Sequence, residues 1–196
     1  MKLIVSAKLS QKGVIINNDL VSNSIPTEEN WTKELYAKCG KSYPKFYKMD
    51  ALAKLTFLTY SYMEHVINKF DFSDDGIALL FANASSSKTT DLKYISSYEE
   101  KNSPSPSLFV YTLPNILTGE LSILNKWYGE NIFFIEEKFD PEFYLDQINF
   151  YFSKGAKAVL SGWVESNDNN EECFLFLVEN KEGVLTKEEL NNLYKK

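Results

Sequence analysis

Asn131-Ile132-Phe133-Phe134-Ile135-Glu136 is followed, four residues later, by Asp140-Pro141 and then by Ala156-Lys157-Ala158-Val159-Leu160-Ser161. This stretch decides the fold. The first run is apolar and β-prone, so 131–136 is expected as a strand. Asp140 is a good N-cap and Pro141 suits the first helical position. Leu145, Ile148 and Phe152 recur at helical spacing, and Gly155 ends the helix. Residues 156–161 then form a second strand. Strands alternating with helices in this way indicate an α/β layer structure.

The pattern extends in both directions. Asp74-Asp75-Gly76 turns the chain into Ile77-Ala78-Leu79-Leu80-Phe81-Ala82, a run suited to a strand buried on both faces. Cys173-Phe174-Leu175-Phe176-Leu177-Val178 reads the same way, entered through the turn formers Asn167-Asp168-Asn169-Asn170. Asp50 caps a helix over 50–69 with Leu52, Leu55, Thr59, Tyr62, Met63 and Val66 at helical spacing. Residues 2–7 read as a strand with Gly13-Val14-Ile15-Ile16 as hairpin partner. Residues 17–45 are polar, with a short helix near Thr32 to Lys38. The Ser, Thr and Lys of 83–107 read mostly as loop. Pro114 opens a helix to about Lys126, and Thr186 with Glu189 forms a capping box for a terminal helix. The fold class is α/β, a mixed sheet flanked by helices. One domain is expected over 1–196.

The chain has 196 residues, 44% of them hydrophobic, and a net charge of −6. All 21 cations are lysine. Without a guanidinium fork, and with an acidic balance, a nucleic-acid partner is not expected. No apolar run is long enough to span a bilayer, and no secretory leader is evident, so a soluble cytoplasmic protein is expected. Cys39 and Cys173 have neither metal nor redox spacing. No metal or other cofactor is implied.

No local motif assembles a catalytic group. His65 is the only histidine, and it sits within the helix that follows Asp50. Glu171 and Glu172 beside Cys173 would raise a thiol pKa, the wrong direction for a nucleophile. Cys39 lies in a turn among lysines. Ser85-Ser86-Ser87-Lys88-Thr89-Thr90 lacks the glycines of a phosphate loop. Glu136 and Lys138 share one side of the expected strand and should pair as ions.

Ser105-Pro106-Ser107-Leu108-Phe109-Val110-Tyr111-Thr112-Leu113-Pro114-Asn115 resembles the stretch before the catalytic cysteine of β-ketoacyl synthases. Leu121-Ser122-Ile123, Gly129, Gly155 and Ala158-Val159-Leu160-Ser161-Gly162-Trp163-Val164-Glu165 follow in that family's order. Upstream, Lys48-Met49-Asp50-Ala51-Leu52-Ala53 and Ile77 to Ala84 are similar to its core helix and strand. The resemblance is strongest over 41–180. It implies a thiolase-like layered fold, N-terminal half only.

Counted without a gap between Asn115 and Gly155, the family's cysteine falls on Lys138, whose ammonium cannot form a thioester. The half that carries the family's catalytic histidines is not represented. The resemblance therefore implies a non-catalytic subunit, similar to the chain-length factors of aryl polyene or flexirubin-type pigment synthesis. Such a subunit pairs with a full-length ketosynthase, meets an acyl carrier protein only indirectly, and shapes the acyl tunnel. Leu108, Phe109, Tyr111, Thr112, Asn115 and Ile116 would occupy the tunnel or interface segment. Packing within the domain is the competing role for Leu108 and Ile116. Two alternatives stay open. One is a stand-alone homodimer holding an apolar ligand, and the other is an enzyme using Cys173 or Lys138. The aromatic residues Phe133, Phe134, Phe143, Tyr144, Tyr151 and Phe152 are expected to exceed what one half-fold can bury, leaving a surplus for a partner.

Overall fold

The computed structural model describes residues 1–23, 31–68, 72–100, 102–168 and 170–196. Part of the polar stretch 17–45, the last residue of the helix expected over 50–69, and Asn169 lie outside the described residues.

In chain order the elements are β1 (Lys2–Ser10), β2 (Gly13–Ile16), β3 (Asp19–Asn23), α1 (Trp31–Lys38), α2 (Ala51–Ile67), β4 (Ile77–Asn83), α3 (Lys88–Glu99), α4 (Pro106–Val110), α5 (Ile116–Asn125), β5 (Asn131–Ile135), α6 (Pro141–Ser153), β6 (Ala158–Asn167), β7 (Asn170–Glu179) and α7 (Lys187–Lys195). All seven strands join one mixed sheet in the order β3-β2-β1-β7-β6-β4-β5. β4 is parallel to both β5 and β6, whereas β7 is antiparallel to both β6 and β1.

The continuous apolar runs are explained by burial of β4, β6 and β7 on both faces. Side chains alternate with the pleat. Ile77, Leu79, Phe81, Leu160, Val164, Cys173 and Leu175 face the layer built by α1, α2 and α5. Ala78, Leu80, Ala82, Val159, Trp163, Phe174 and Phe176 face α6 and α7. The helix α2 is apolar around most of its surface because α1 and α5 cover the sides the sheet does not reach. Its buried Thr56 and Thr59 hydroxyls donate to the Leu52 and Leu55 carbonyls at 2.9 and 2.8 Å, so neither is left unsatisfied. Asp50 Oδ1 accepts from the Ala53 amide at 2.9 Å, the cap expected from sequence.

Three expectations are corrected. Residues 83–107 are not mostly loop, because Lys88–Glu99 is a helix. Its inward positions are Thr90 and Ser97, while Leu92 and Ile95 point to solvent. The apolar periodicity that marks a core helix is thus inverted. The strand β5 ends at Ile135, so Glu136 and Lys138 lie in a connection and form no ion pair among the described residues. The aromatic surplus is also not found: all six residues are buried or half-buried in the chain's own layers. Tyr144 donates to the Gly162 carbonyl at 2.7 Å, and Phe134 meets Phe143 edge-on at 5.1 Å. The capping box of α7 holds as expected, and this helix packs beside α6, with Lys187 2.5 Å from Glu142.

Two glycines mark close approaches. A Cβ at Gly162 would lie 2.4 Å from the Phe81 ring and 2.6 Å from Leu175. At Gly129 it would lie 2.2 Å from the Ile77 carbonyl oxygen, which is backbone and cannot swing away. Gly162→Ala is expected to cost about 1–3 kcal/mol through overpacking, and Gly129→Ala at least as much, read from urea midpoints. Asp50→Ala should cost about 0.5–2 kcal/mol, and Asp50→Asn less, because an amide oxygen still caps Ala53.

Candidate functional site

In open α/β sheets, loops at the carboxyl ends of parallel strands are the usual place for chemistry. Here those ends belong to β4, β5 and β6. After β4, Asn83 organises the turn: its Oδ1 accepts from the Ser86 amide and its Nδ2 donates to the Ser86 carbonyl, both at 2.9 Å. Ser86 has a positive φ of 51°, the left-handed conformation this turn requires. The rim is closed by Thr89 Oγ1 donating to the Ser166 carbonyl at 2.9 Å and by Asn167 Nδ2 donating to Ser85 Oγ at 3.0 Å. Glu165, at the end of β6, is buried, and its Oε2 accepts from the Ala84 amide at 3.0 Å.

Residues 136–140 join β5 to α6 along this rim, and the Glu136 amide donates to the Asn83 carbonyl at 2.9 Å. Lys138 is exposed, two residues before the Asp140 cap. Its neighbour Phe139 is buried, with ring centroids 4.2 Å from Tyr194, 5.2 Å from Tyr144 and 5.5 Å from Phe174. The connection is therefore pinned by Phe139 while Lys138 faces water. Beside it, Tyr194 donates to Glu172 Oε1 at 2.7 Å, and Lys8 lies 3.5 Å from Glu172 Oε2. Burial, reinforced by Glu172, pushes the Tyr194 hydroxyl above the usual phenol range.

The other chemistry-bearing residues lie elsewhere. Cys173 is fully buried on the α2 side, and burial pushes its thiol up to about 12. His65 is exposed on α2, and Cys39 is half-buried, its thiol raised mainly by burial. No group of three or more His, Cys, Asp or Glu arranged to hold a metal ion occurs among the described residues. No helix among them is long and apolar enough to cross a membrane.

The segment 108–116 is brought to the surface by α4, which Ser105 caps and Pro106 opens. Phe109 is 57% exposed and touches Tyr94 of α3, with centroids 5.6 Å apart. Tyr111 is turned inward and donates to Glu120 Oε1 at 3.0 Å, with Lys45 2.7 Å from the other oxygen. Thr112 is half-buried, and its carbonyl accepts from Ser87 Oγ at 2.6 Å. Asn115 is exposed, and Leu108 and Ile116 are half-buried. Sequence reasoning missed Val110 and Leu113, which are as outward-facing as Phe109, and missed Leu92 and Ile95 beside them on α3. No periodicity could have found them: α3 buries the polar Thr90 and Ser97, α4 buries no residue, and Leu113 lies beyond α4. The edge strand β5 adds a further open surface. It pairs only with β4, and Ile135 is 54% exposed.

In protein with Cys39→Ser, Cys173 should stay unreactive to Ellman's reagent until denaturant is added. Lys138→Cys in that background should introduce a thiol that reacts in the folded state. Lys138→Ala should change stability by less than about 0.5 kcal/mol.

No family model and no curated protein matches the sequence. Solved structures do. A chain of the complex of the ketosynthase ApeO with its chain length factor ApeC from Xenorhabdus doucetiae superposes with a TM-score of 0.62 at 12% identity, over 93% of this chain and 81% of that one. The ishigamide ketosynthase/chain length factor gives 0.67 at 12% identity, over 93% of this chain. AntDE:AntF, a type II acyl-carrier protein in complex with its ketosynthase bound to the hexaketide, gives 0.59 at 12% identity, over 91%. The chain spans 62% of each of these last two chains. At such identity the likeness concerns architecture: the chain has the thiolase-type fold shared by ketosynthases and chain length factors.

Proposed function

We propose that the protein is a non-catalytic ketosynthase-like subunit that pairs with an active ketosynthase and limits the depth of its acyl tunnel. The observation that carries this reading is the apolar surface on α3 and α4. Leu92 and Ile95 on α3, Phe109 and Val110 on α4, and Leu113 just after it are each about half exposed, and the two helices are held together by the Tyr94–Phe109 contact and by the Ser97 hydroxyl accepting from the Ser105 amide at 3.3 Å. Exposed apolar side chains on neighbouring elements favour an interaction site. It coincides with the segment that the family resemblance assigns to the partner's tunnel. Phe109, with its neighbours Val110 and Leu113, is the steric element of this proposal. Leu108, Thr112, Asn115 and Ile116 support it, and Tyr111 anchors the segment from inside.

Two further observations support the reading. The β5 edge, Asn131-Ile132-Phe133-Phe134-Ile135, carries no charge and no proline, the usual guards of a free edge. It is suited to continuing the sheet into a partner. The position assigned to the nucleophile is a solvated lysine on a pinned loop, with Cys173 and His65 on other parts of the fold. Chemistry of the ketosynthase type would then reside in the partner, with pigment-type polyene synthesis as the pathway and the acyl carrier protein met through that partner. The whole chain as one domain in the cytoplasm is part of the same proposal.

Co-expression with a full-length ketosynthase of the ApeO kind should give a stable heterodimer by sedimentation. Ile135→Lys should weaken it, since a buried charge opposes edge pairing. Phe109→Ala should leave the pair intact and lengthen the product. Failure to co-purify under any condition overturns the reading, and a tight dimer of this chain alone would instead favour the homodimeric ligand-binding alternative.

A further inference from the structure

A cavity of about 300 Å³ opens between α1, the start of α2, α3 and the beginning of β7, next to the rim at the carboxyl end of β6. Trp31, Met49 and Leu55, all buried, and the half-buried Leu108 give it apolar walls. Four charged side chains also face it: Asp50, Lys54, Lys93 and Glu171.

These four are not equivalent. Both carboxylates are already used by the protein. Asp50 accepts from the Ala53 amide at 2.9 Å and from Thr90 Oγ1 at 3.0 Å. Glu171 accepts from Trp31 Nε1 at 3.0 Å. The two ammonium groups are not: neither Lys54 nor Lys93 has an ion-pair partner within 4.0 Å among the described residues. Lys54 Nζ has only the Phe46 ring, 6.0 Å away at the limit of a useful cation–π contact. The two lysines are thus the unpaired charged donors of the cavity, since an ammonium carries three N–H groups and no acceptor.

We propose that this cavity binds a small monoanionic ligand, a carboxylate on a short apolar body. The carboxylate lies between Lys54 and Lys93, and the body lies against Trp31, Leu55 and Leu108. The cavity borders the proposed partner segment at Leu108, and the inference does not depend on the subunit reading above. Several arguments select this class. A cation would meet two unpaired ammonium groups. A dianionic phosphate would face Asp50 and Glu171 at short range, which a single negative charge does less severely. The volume is at the lower end of the range for small-molecule sites and too small for a long acyl chain. The electrostatics agree with the geometry. Burial, and then repulsion from Lys93, lower the Lys54 pKa, and an incoming carboxylate offsets both.

The test is a ¹H–¹⁵N NMR titration of the full chain with benzoate and hexanoate, with benzamide and inorganic phosphate as comparisons. At least one carboxylate should shift the Trp31 indole resonance saturably in the millimolar range. Lys54→Met and Lys93→Met should each weaken it by about tenfold or more, and Lys93→Arg should retain it. Neither benzamide nor phosphate should match the better carboxylate. The spectrum itself reports whether each variant is folded. Should Lys54→Met not fold, Lys93→Met, at an exposed position, decides the matter. No saturable shift with either carboxylate, equal binding of benzamide, tighter binding of phosphate, or unchanged affinity in the folded lysine variants would each overturn the proposal.

Discussion

Burial of β4, β6 and β7 on both faces is the constraint from which the rest of the structure follows. A strand with no solvated face needs a layer of helices on each side, because every alternate side chain must find an apolar contact. α2 supplies the centre of one layer and α6 with α7 the other. The two layers differ in character. The α2 side is built largely from aliphatic side chains interleaved with rings at its margin. The α6 side is largely aromatic, with Phe139, Tyr144, Trp163, Phe174, Phe176 and Tyr194 in mutual contact. Between the layers Gly162 leaves room for the Phe81 ring, so the packing of β4 on β6 depends on a missing side chain.

That aromatic layer also governs the rim where ketosynthase-like chemistry would be sought. Phe139 inserts into it and fixes the β5–α6 connection, which leaves Lys138 in water. The loop is therefore ordered by a hydrophobic anchor rather than by polar contacts to its charged residues. The same layer takes up Phe134, Phe143, Tyr144, Tyr151 and Phe152, whereas Phe133 packs on the α2 side. Outward apolar residues are found on α3, α4 and β5, and also on β3, α5 and α6, where Leu20, Ile123 and Phe150 are exposed.

The helix α3 shows why part of the molecule was opaque to pattern reading. Thr90 and Ser97 face inward because the groups they meet there are polar: Thr90 donates to Asp50, and Ser97 Oγ donates to the Tyr94 carbonyl and accepts from the Ser105 amide. A periodicity search assumes that the inward face is apolar, and here it is not. The Glu136–Lys138 pair failed for a different reason. It carried the strand's alternation on to Lys138, past the observed end at Ile135, and side-chain direction beyond a strand end does not follow the pleat. The cavity residues lie at positions 31, 50, 54, 93 and 171, so no local motif could have joined them.

The sequence by itself determined the alternation of strands and helices, the buried strands at 77–82 and 173–178, the caps at Asp50, Asp140 and Thr186, and through them the α/β class. These are legible because they depend on spacing and on contacts a few residues apart. Only the tertiary structure decided which apolar residues stay outside, that Lys138 is solvated while Phe139 is the anchor, and that two unpaired lysines border one cavity. Those facts depend on which elements meet across the fold, and nothing local in the chain encodes the identity of a distant neighbour.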